Sequence, residues 1–234
     1  MDTVNDPRAA KPIPPTRSNH GWQDVPLEPR DEPLVPVTEA GGRIVDRAEY
    51  HRWGLDGALP RSWVRAGVAE RLGRVAAGLP AGLTLVVWDG YRPLAVQGRL
   101  FDNYLYELAA VHPEMPADAL EEAATRYVSR PTRSVLCPPP HLTGGAVDLT
   151  LGDAEGTPLD LGTPFDAFVP EAEAHALEDA PGPQRDLRRL LHWAMHDEGF
   201  TNYAEEWWHY DHGNQFWGVV TGNAAYYGAT DAPE

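Results

Sequence analysis

Apolar residues recur with two different spacings along the chain, and they predict a mixture of helices and strands. Helical spacing is clearest over residues 62–78, where Ser62 is the expected N-cap and Gly78 the expected stop. The apolar run over residues 83–88 predicts a buried strand, residues 146–151 predict a second strand, and residues 206–210 predict a further extended segment. Proline and glycine positions delimit the other expected helices, over residues 94–108, 116–128 and 184–198.

These elements do not follow a regular strand–helix–strand order, which favours an α+β fold. We expect a small, largely antiparallel central sheet flanked by helices, in a single domain over residues 37–234. Residues 1–36 contain eight prolines among charged and polar residues. Such a stretch predicts a Pro-rich N-terminal arm, extended over the domain or partly disordered, and Trp22 suggests that part of it docks.

Charge and cysteine content narrow the classes of function. A net charge of -16 argues against nucleic acid and against an anionic membrane surface as partners, because both attract cationic proteins. Cys137 is the only cysteine and cannot form an intramolecular disulfide, and no apolar run approaches the ~18 residues of a membrane span. We therefore expect a cytoplasmic protein, and the sequence leaves its oligomeric state open.

Reactive side chains concentrate in three short segments that also contain glycine, proline or tryptophan: residues 88–93, 141–148 and 205–209. His141, Asp148 and His209 can supply the protein ligands of a catalytic zinc site and leave a fourth position for water. The spacing from His141 to Asp148 would place them on opposite faces of an uninterrupted strand. We therefore expect the chain to turn at Gly144-Gly145.

A hydrolytic zinc site also needs a base and a positive partner for the developing oxyanion. Glu206 is the candidate base, because it lies three residues before a ligand. On a flat strand Glu206 and His209 would face opposite ways, so a bulge, a strong twist or a helical turn must bring both to the metal. Arg92, between Tyr91 and Pro93, is the candidate oxyanion partner. Any one of these residues, taken alone, is commonly a turn, surface or core residue. The occurrence of all three segments in one chain is what indicates a metallohydrolase.

Other histidines have to be weighed as ligands. His192 and His196 have the i, i+4 spacing of a helical zinc pair, but no glutamate directly follows the first of them as in helical metalloproteases. A surface or packed pair is the favoured interpretation. His212 remains an alternative ligand, or a partner that fixes the tautomer of a ligand histidine.

The three segments resemble the D-alanyl-D-alanine dipeptidases of the vancomycin-resistance type, a branch of the zinc D,D-peptidases. The family patterns D-G-Y-R-P, H-x-x-G-x-A-x-D and E-W-W-H occur here at residues 89–93, 141–148 and 206–209. The resemblance implies an α+β fold and one zinc ion per chain on His141, Asp148 and His209. It implies Glu206 as general base and acid, with Arg92 polarising the carbonyl. It further suggests that Asp166 meets the free amino group of a dipeptide, and that the substrate is D-Ala-D-Ala.

Two positions depart from the family pattern. Pro139 stands where a serine is typical, and Thr143 stands where an arginine is usual. A proline lacks both the hydroxyl and the backbone donor, so a substrate carboxylate contact made there must be lost or rerouted. One alternative is therefore the same zinc centre acting on another small peptide or amide, from a peptidoglycan stem or a biosynthetic pathway. A non-catalytic zinc-stabilised binding domain is the other alternative.

Overall fold

A computed structural model describes residues 5–15 and 19–233. The α-helices of these residues are α1 (Pro7–Ala10), α2 (Glu49–Arg52), α3 (Ala66–Gly78), α4 (Leu94–Val111), α5 (Ala117–Ala124), α6 (Pro183–Asp197) and α7 (Gln215–Thr221). The strands are β1 (Leu34–Pro36), β2 (Ile44–Asp46), β3 (Trp63–Arg65), β4 (Thr84–Asp89), β5 (Ala146–Gly152), β6 (Thr201–Asn202) and β7 (His209–Asp211). None of the helices in residues 5–15 and 19–233 is both long and apolar enough to cross a membrane.

The central sheet has the strand order β2-β4-β5-β7-β6. Only β2 and β4 run parallel, and each of the other neighbouring pairs is antiparallel. Strand β5 is buried along its whole length, and its apolar residues Val147, Leu149 and Leu151 alternate with the buried polar residues Asp148 and Thr150. The predicted α+β fold with a small, largely antiparallel sheet is confirmed.

The main core lies between this sheet and helices α3 and α6. Helix α3 contributes Val68, Leu72 and Val75 at helical spacing, and α6 contributes Leu191, which is fully buried. These side chains pack with the apolar residues of β4 and β5 in one cluster. The core thereby supports β4 and β5, the two strands next to the charged segments at residues 88–93 and 141–148.

Several expected boundaries differ from the observed ones. Ser62 is not the N-cap of α3, because residues 63–65 form β3 and pair with β1 before the helix begins at Ala66. The tertiary pairing of Val64 with Val35 overrides the local helical pattern. The prediction of an extended segment over residues 206–210 was also wrong in part. Strand β7 begins only at His209, and residues 206–208 lie in the turn before it.

The N-terminal residues that the structure describes lie against the rest of the chain. Helix α1 packs on α6, and the Trp193 indole donates a hydrogen bond of 2.9 Å to the backbone carbonyl of Lys11. Trp22 makes an edge contact with Phe216, with ring centroids 5.0 Å apart. Strand β1, at the end of the arm, pairs with β3. The part of residues 1–36 that the structure describes therefore contacts the later helices and strands, and the division into an arm and a domain stays a prediction.

Candidate metal centre and active site

Three neighbouring strands bring the charged segments together. In the register of the sheet, Asp148 on β5 lies opposite Asp89 on β4 and opposite His209 on β7. The β4–β5 register shifts between Val87 and Asp89, as happens at a bulge, which re-aims the end of a strand. Segments that are far apart in sequence therefore meet at one end of the central strands.

His141 reaches the same place from a short 3₁₀ turn, Pro140–Thr143, that precedes β5. The Thr143 hydroxyl donates a hydrogen bond of 2.6 Å to the Pro140 carbonyl and accepts one of 2.9 Å from the Gly145 N–H. Gly144 ends the turn with a φ of 70°, a left-handed conformation that favours glycine. The turn expected between His141 and Asp148 is therefore present.

His141, Asp148 and His209 are buried and point one potential ligand atom each at a common position. The His209 Nδ1 lies 3.2 Å from the His141 Nε2 and 3.0 Å from the Asp148 Oδ1, and the His141 Nε2 lies 3.3 Å from the Asp148 Oδ2. A tetrahedron with metal–ligand bonds of ~2.0–2.1 Å has edges of about 3.3–3.4 Å. Each observed separation is close to that edge length, although the two histidines face different oxygens of Asp148, so the three side chains are close enough together to hold one divalent metal ion.

The second ring nitrogen of each histidine has a protein acceptor. The His141 Nδ1 lies 2.7 Å from the Gly90 carbonyl oxygen, and the His209 Nε2 lies 3.1 Å from the Asp211 Oδ2. When these nitrogens carry the protons, the two inward nitrogens present lone pairs, which is the form that binds a metal. Asp211 was not identified from the sequence. Its i, i+2 spacing from His209 on a strand is the signal that indicates it, since such residues share a face.

The Asp148 carboxylate is the anionic member of this set. Burial alone would raise its pKa, but the charges and hydrogen bonds of His141 and His209 hold the pKa of Asp148 well below its ordinary value. Asp148 is therefore an anion, the form that a metal requires of a carboxylate ligand.

Glu206 lies in the turn before β7 rather than on the strand. Its Oε2 is 4.0 Å from the His209 Nδ1, and the side chain is 7% exposed. Burial raises the pKa of Glu206 well above its ordinary value. Asn202, which sequence reasoning missed, holds the turn by donating hydrogen bonds to the Glu206 and His209 carbonyls at 3.0 and 2.8 Å. The carboxyl group is thus placed beside the ligands without joining them.

Arg92 is buried, and four acceptors surround its guanidinium group. The Nε donates to the Asp89 Oδ2 at 2.8 Å and the Nη1 to the Gln97 Oε1 at 3.0 Å. The Nη2 donates to the Asp148 Oδ2 at 3.2 Å and to the Tyr50 hydroxyl at 3.3 Å. These hydrogen bonds hold the positive charge of the guanidinium group beside Asp148.

Asp166 lies on the opposite side of Tyr50. The Tyr50 hydroxyl donates a hydrogen bond of 2.8 Å to its Oδ2, and its backbone has a φ of 58°, which is uncommon for a residue other than glycine. Burial raises the pKa of Asp166 to about 7. A cationic partner at this carboxyl group would favour its ionised form.

The residues singled out from the sequence line one cavity of about 420 Å³. It contains the three metal-site residues together with Arg92, Asp166 and Glu206. Pro139 and Thr143, the two departures from the family pattern, are not among its lining residues.

The other histidines lie elsewhere. His192 and His196 pack on α6 with ring centroids 6.3 Å apart, and burial beside His196 lowers the pKa of His192 to about 4. His212 donates from its Nδ1 to the Gly199 carbonyl at 2.9 Å, and its Nε2 lies 2.7 Å from the Tyr226 hydroxyl. His212 is thus occupied by structural contacts, and Asp211 takes the partner position that His212 was considered for.

The geometry can be compared with known proteins. The model of the peptidase M15 family described as D-Ala-D-Ala dipeptidase matches residues 61–226. The chain belongs to this family. It is therefore a metallopeptidase by family, and its relatives include a D-alanyl-D-alanine dipeptidase of Synechocystis sp., 30% identical over 82% of this chain and 87% of that protein. A D-alanyl-D-alanine dipeptidase of Escherichia coli is 32% identical over 56% of each chain.

Solved structures have a more distant likeness. A variant of the vancomycin-resistance D,D-pentapeptidase VanY, in complex with Zn(II), matches with a TM-score of 0.42 and 15% identity. The match covers 87% of this chain and 97% of that one.

Proposed function

We propose that this metallopeptidase is a zinc dipeptidase that hydrolyses D-alanyl-D-alanine to two molecules of D-alanine. The observation that carries the proposal is the buried, closely spaced set of His141, Asp148 and His209, with the Glu206 carboxyl group beside it in the same cavity. Two histidines and one carboxylate are a ligand set typical of catalytic zinc. The names of the relatives in Synechocystis and Escherichia coli support the choice of substrate.

Bound to these three residues, zinc would polarise the scissile carbonyl and lower the pKa of the attacking water. In its ionised form, which the positive charge of the bound metal ion would favour, Glu206 takes a proton from that water as its oxygen attacks the carbonyl carbon. Glu206 then gives the proton to the amine nitrogen as the C–N bond breaks. A carboxyl group that is buried and not a ligand is free to carry a proton in this way.

Arg92 stabilises the negative charge that develops on the carbonyl oxygen. Its guanidinium group is held rigidly by Asp89, Gln97 and Tyr50, so no reorganisation is needed when the charge appears. Asp166 receives the free ammonium group of the dipeptide, and the Tyr50 hydroxyl orients the carboxylate for it. Such a cavity recognises a short substrate by its charged end.

The test combines metal analysis with a panel of the four stereoisomers of Ala-Ala. We expect about one zinc ion per chain and release of D-alanine from the D,D isomer at the highest kcat/KM. Glu206→Gln should retain zinc and lose at least ~10²-fold in kcat. Glu198→Gln is the matched control, because Glu198 forms an ion pair with Arg74 and neither residue lines the cavity. Stoichiometric zinc without hydrolysis of the D,D isomer overturns the proposed substrate, and an active Glu206→Gln variant overturns the proposed base.

A further inference from the structure

The cavity has a second side that the proposed chemistry does not use. Besides the metal-site residues it is lined by Tyr104 of α4, Tyr127 just after α5, and Phe168 of the loop that also carries Asp166. We refer to these three residues as the aromatic wall. The ring centroids of Tyr104 and Phe168 are 4.6 Å apart, those of Tyr127 and Phe168 are 5.2 Å apart, and those of Tyr104 and Tyr127 are 6.0 Å apart.

The aromatic wall belongs to a small apolar cluster that is separate from the main core. That cluster is built around Phe101, Ala124 and Val128, and the three rings pack against it while remaining only partly buried. The main core is complete without them. Rings that are held from behind and line a cavity in front offer a flat apolar surface to a ligand.

Polar contacts brace the wall and connect it to the metal side. The Tyr203 hydroxyl donates a hydrogen bond of 2.6 Å to the Arg126 carbonyl, and the Tyr203 ring lies 5.8 Å from that of His209. Arg126 in turn forms ion pairs with Glu173 and Glu205. The segment that carries Tyr127 is therefore anchored relative to the metal site, as a binding surface needs to be.

The size of the cavity indicates what the wall accommodates. A volume of about 420 Å³ lies within the range of roughly 300–1,000 Å³ that holds drug-sized ligands. A dipeptide with two methyl side chains has no group that can pack face to face on these rings. A larger flat apolar side chain would bury apolar surface against the rings.

We propose that the preferred substrates are D,D-dipeptides in which one residue has an aromatic side chain, which packs on Tyr104, Tyr127 and Phe168. This inference rests on the proposed function, because it keeps the same zinc centre and the same hydrolysis. What changes is the preferred substrate: a dipeptide with one aromatic side chain replaces a dipeptide with two methyl side chains.

The test compares D-Ala-D-Ala, D-Ala-D-Phe and D-Phe-D-Ala as substrates of the zinc-loaded full chain. We expect kcat/KM for one of the aromatic dipeptides to exceed that for D-Ala-D-Ala by on the order of 10- to 100-fold, the effect of burying a phenyl group. Tyr104→Ala and Phe168→Ala should each bring this ratio towards one. Tyr106→Ala is the matched control, since Tyr106 is on the same helix but is 78% exposed and outside the cavity.

A binding measurement separates failure of this inference from failure of the proposed function. Calorimetric Kd values for the three dipeptides are measured on zinc-loaded Glu206→Gln, in which chemistry is blocked. Tighter binding of an aromatic dipeptide supports the inference even where no hydrolysis of D,D-dipeptides is found, which would overturn only the proposed reaction. Equal or tighter binding of D-Ala-D-Ala than of both aromatic dipeptides overturns the inference, as does a Tyr106→Ala variant that loses as much as Tyr104→Ala.

Discussion

Asp211 offers the sharpest test of how the metal site is built. It is 1% exposed, its Oδ2 accepts from the His209 Nε2 at 3.1 Å, and its Oδ1 accepts from the Asn214 Nδ2 at 2.6 Å. Asp211→Ala removes the acceptor that sets the tautomer and orientation of His209 while leaving all three proposed ligands in place. We therefore expect the variant to fold and to bind zinc more weakly.

The magnitude follows from the role of the contact. Losing the acceptor of a ligand histidine typically costs 10–100-fold in metal affinity, which corresponds to about 1.4–2.7 kcal/mol. The same substitution leaves the buried Asn214 amide without its acceptor, at a cost of about 1–3 kcal/mol in folding free energy. Asp211→Asn keeps a neutral acceptor and should lie between the wild type and Asp211→Ala in zinc affinity.

Competition with a chromophoric chelator measures the Kd for zinc, and urea unfolding of the metal-free proteins measures stability. Asn214→Ala is the matched control, because it breaks the same bond to Asp211 and the cap at the start of α7 but leaves the His209–Asp211 contact intact. It should lose stability and keep its zinc affinity within about threefold. Unchanged zinc affinity in Asp211→Ala would refute the reasoning, as would an equal loss in Asn214→Ala.

Further predictions concern the fold and the metal. Gly73→Ala should destabilise the protein by about 1–3 kcal/mol in urea unfolding, because the added Cβ would press into the Ala40 carbonyl oxygen. Gly78→Ala, in the same helix with open space around it, should instead stabilise by up to ~1 kcal/mol, and equal effects of the two would contradict this account. Removing the metal with EDTA should abolish hydrolysis and lower the Tm, and zinc should restore both; activity that survives complete removal would refute a metal-dependent reaction. His192→Ala should retain one zinc per chain by elemental analysis. Loss of that zinc would indicate that His192 is a ligand after all.

Local patterns explain why much of the fold could be predicted. The strands at β4 and β5 and the helices α3, α4 and α6 were expected within a few residues of where they occur, because a buried strand or an amphipathic helix has a characteristic spacing of apolar residues. The start of α3 was missed because β1 and β3 pair across a long stretch of sequence. A helical pattern contains no information about a strand partner that lies elsewhere in the chain.

For the proposed metal centre, too, the sequence predicted one part and left another part open. His141, Asp148, His209, Glu206 and Arg92 were singled out from residue types and spacing, and the structure brings all of them to one cavity. Their roles as ligands, base and oxyanion partner stay predictions, as do the role of Asp166, the single zinc ion, the arm boundary at residue 36 and the cytoplasmic location.

The sequence by itself determined which side chains can do metal chemistry, because that depends on functional groups and on short-range spacing. Only the tertiary structure decided that Asp211 supports His209, that Glu206 lies in a turn beside His209, and that the aromatic wall lines the same cavity. Those features arise where strands pair and where α4, α5 and the loop over residues 165–168 pack together. The aromatic wall joins residues that are distant in sequence, and no local pattern of hydrophobic and polar residues encodes it. Asp211 and Glu206 are close to His209 in sequence, but their positions depend on where β7 begins, and the pairing of β7 with β5 decides that.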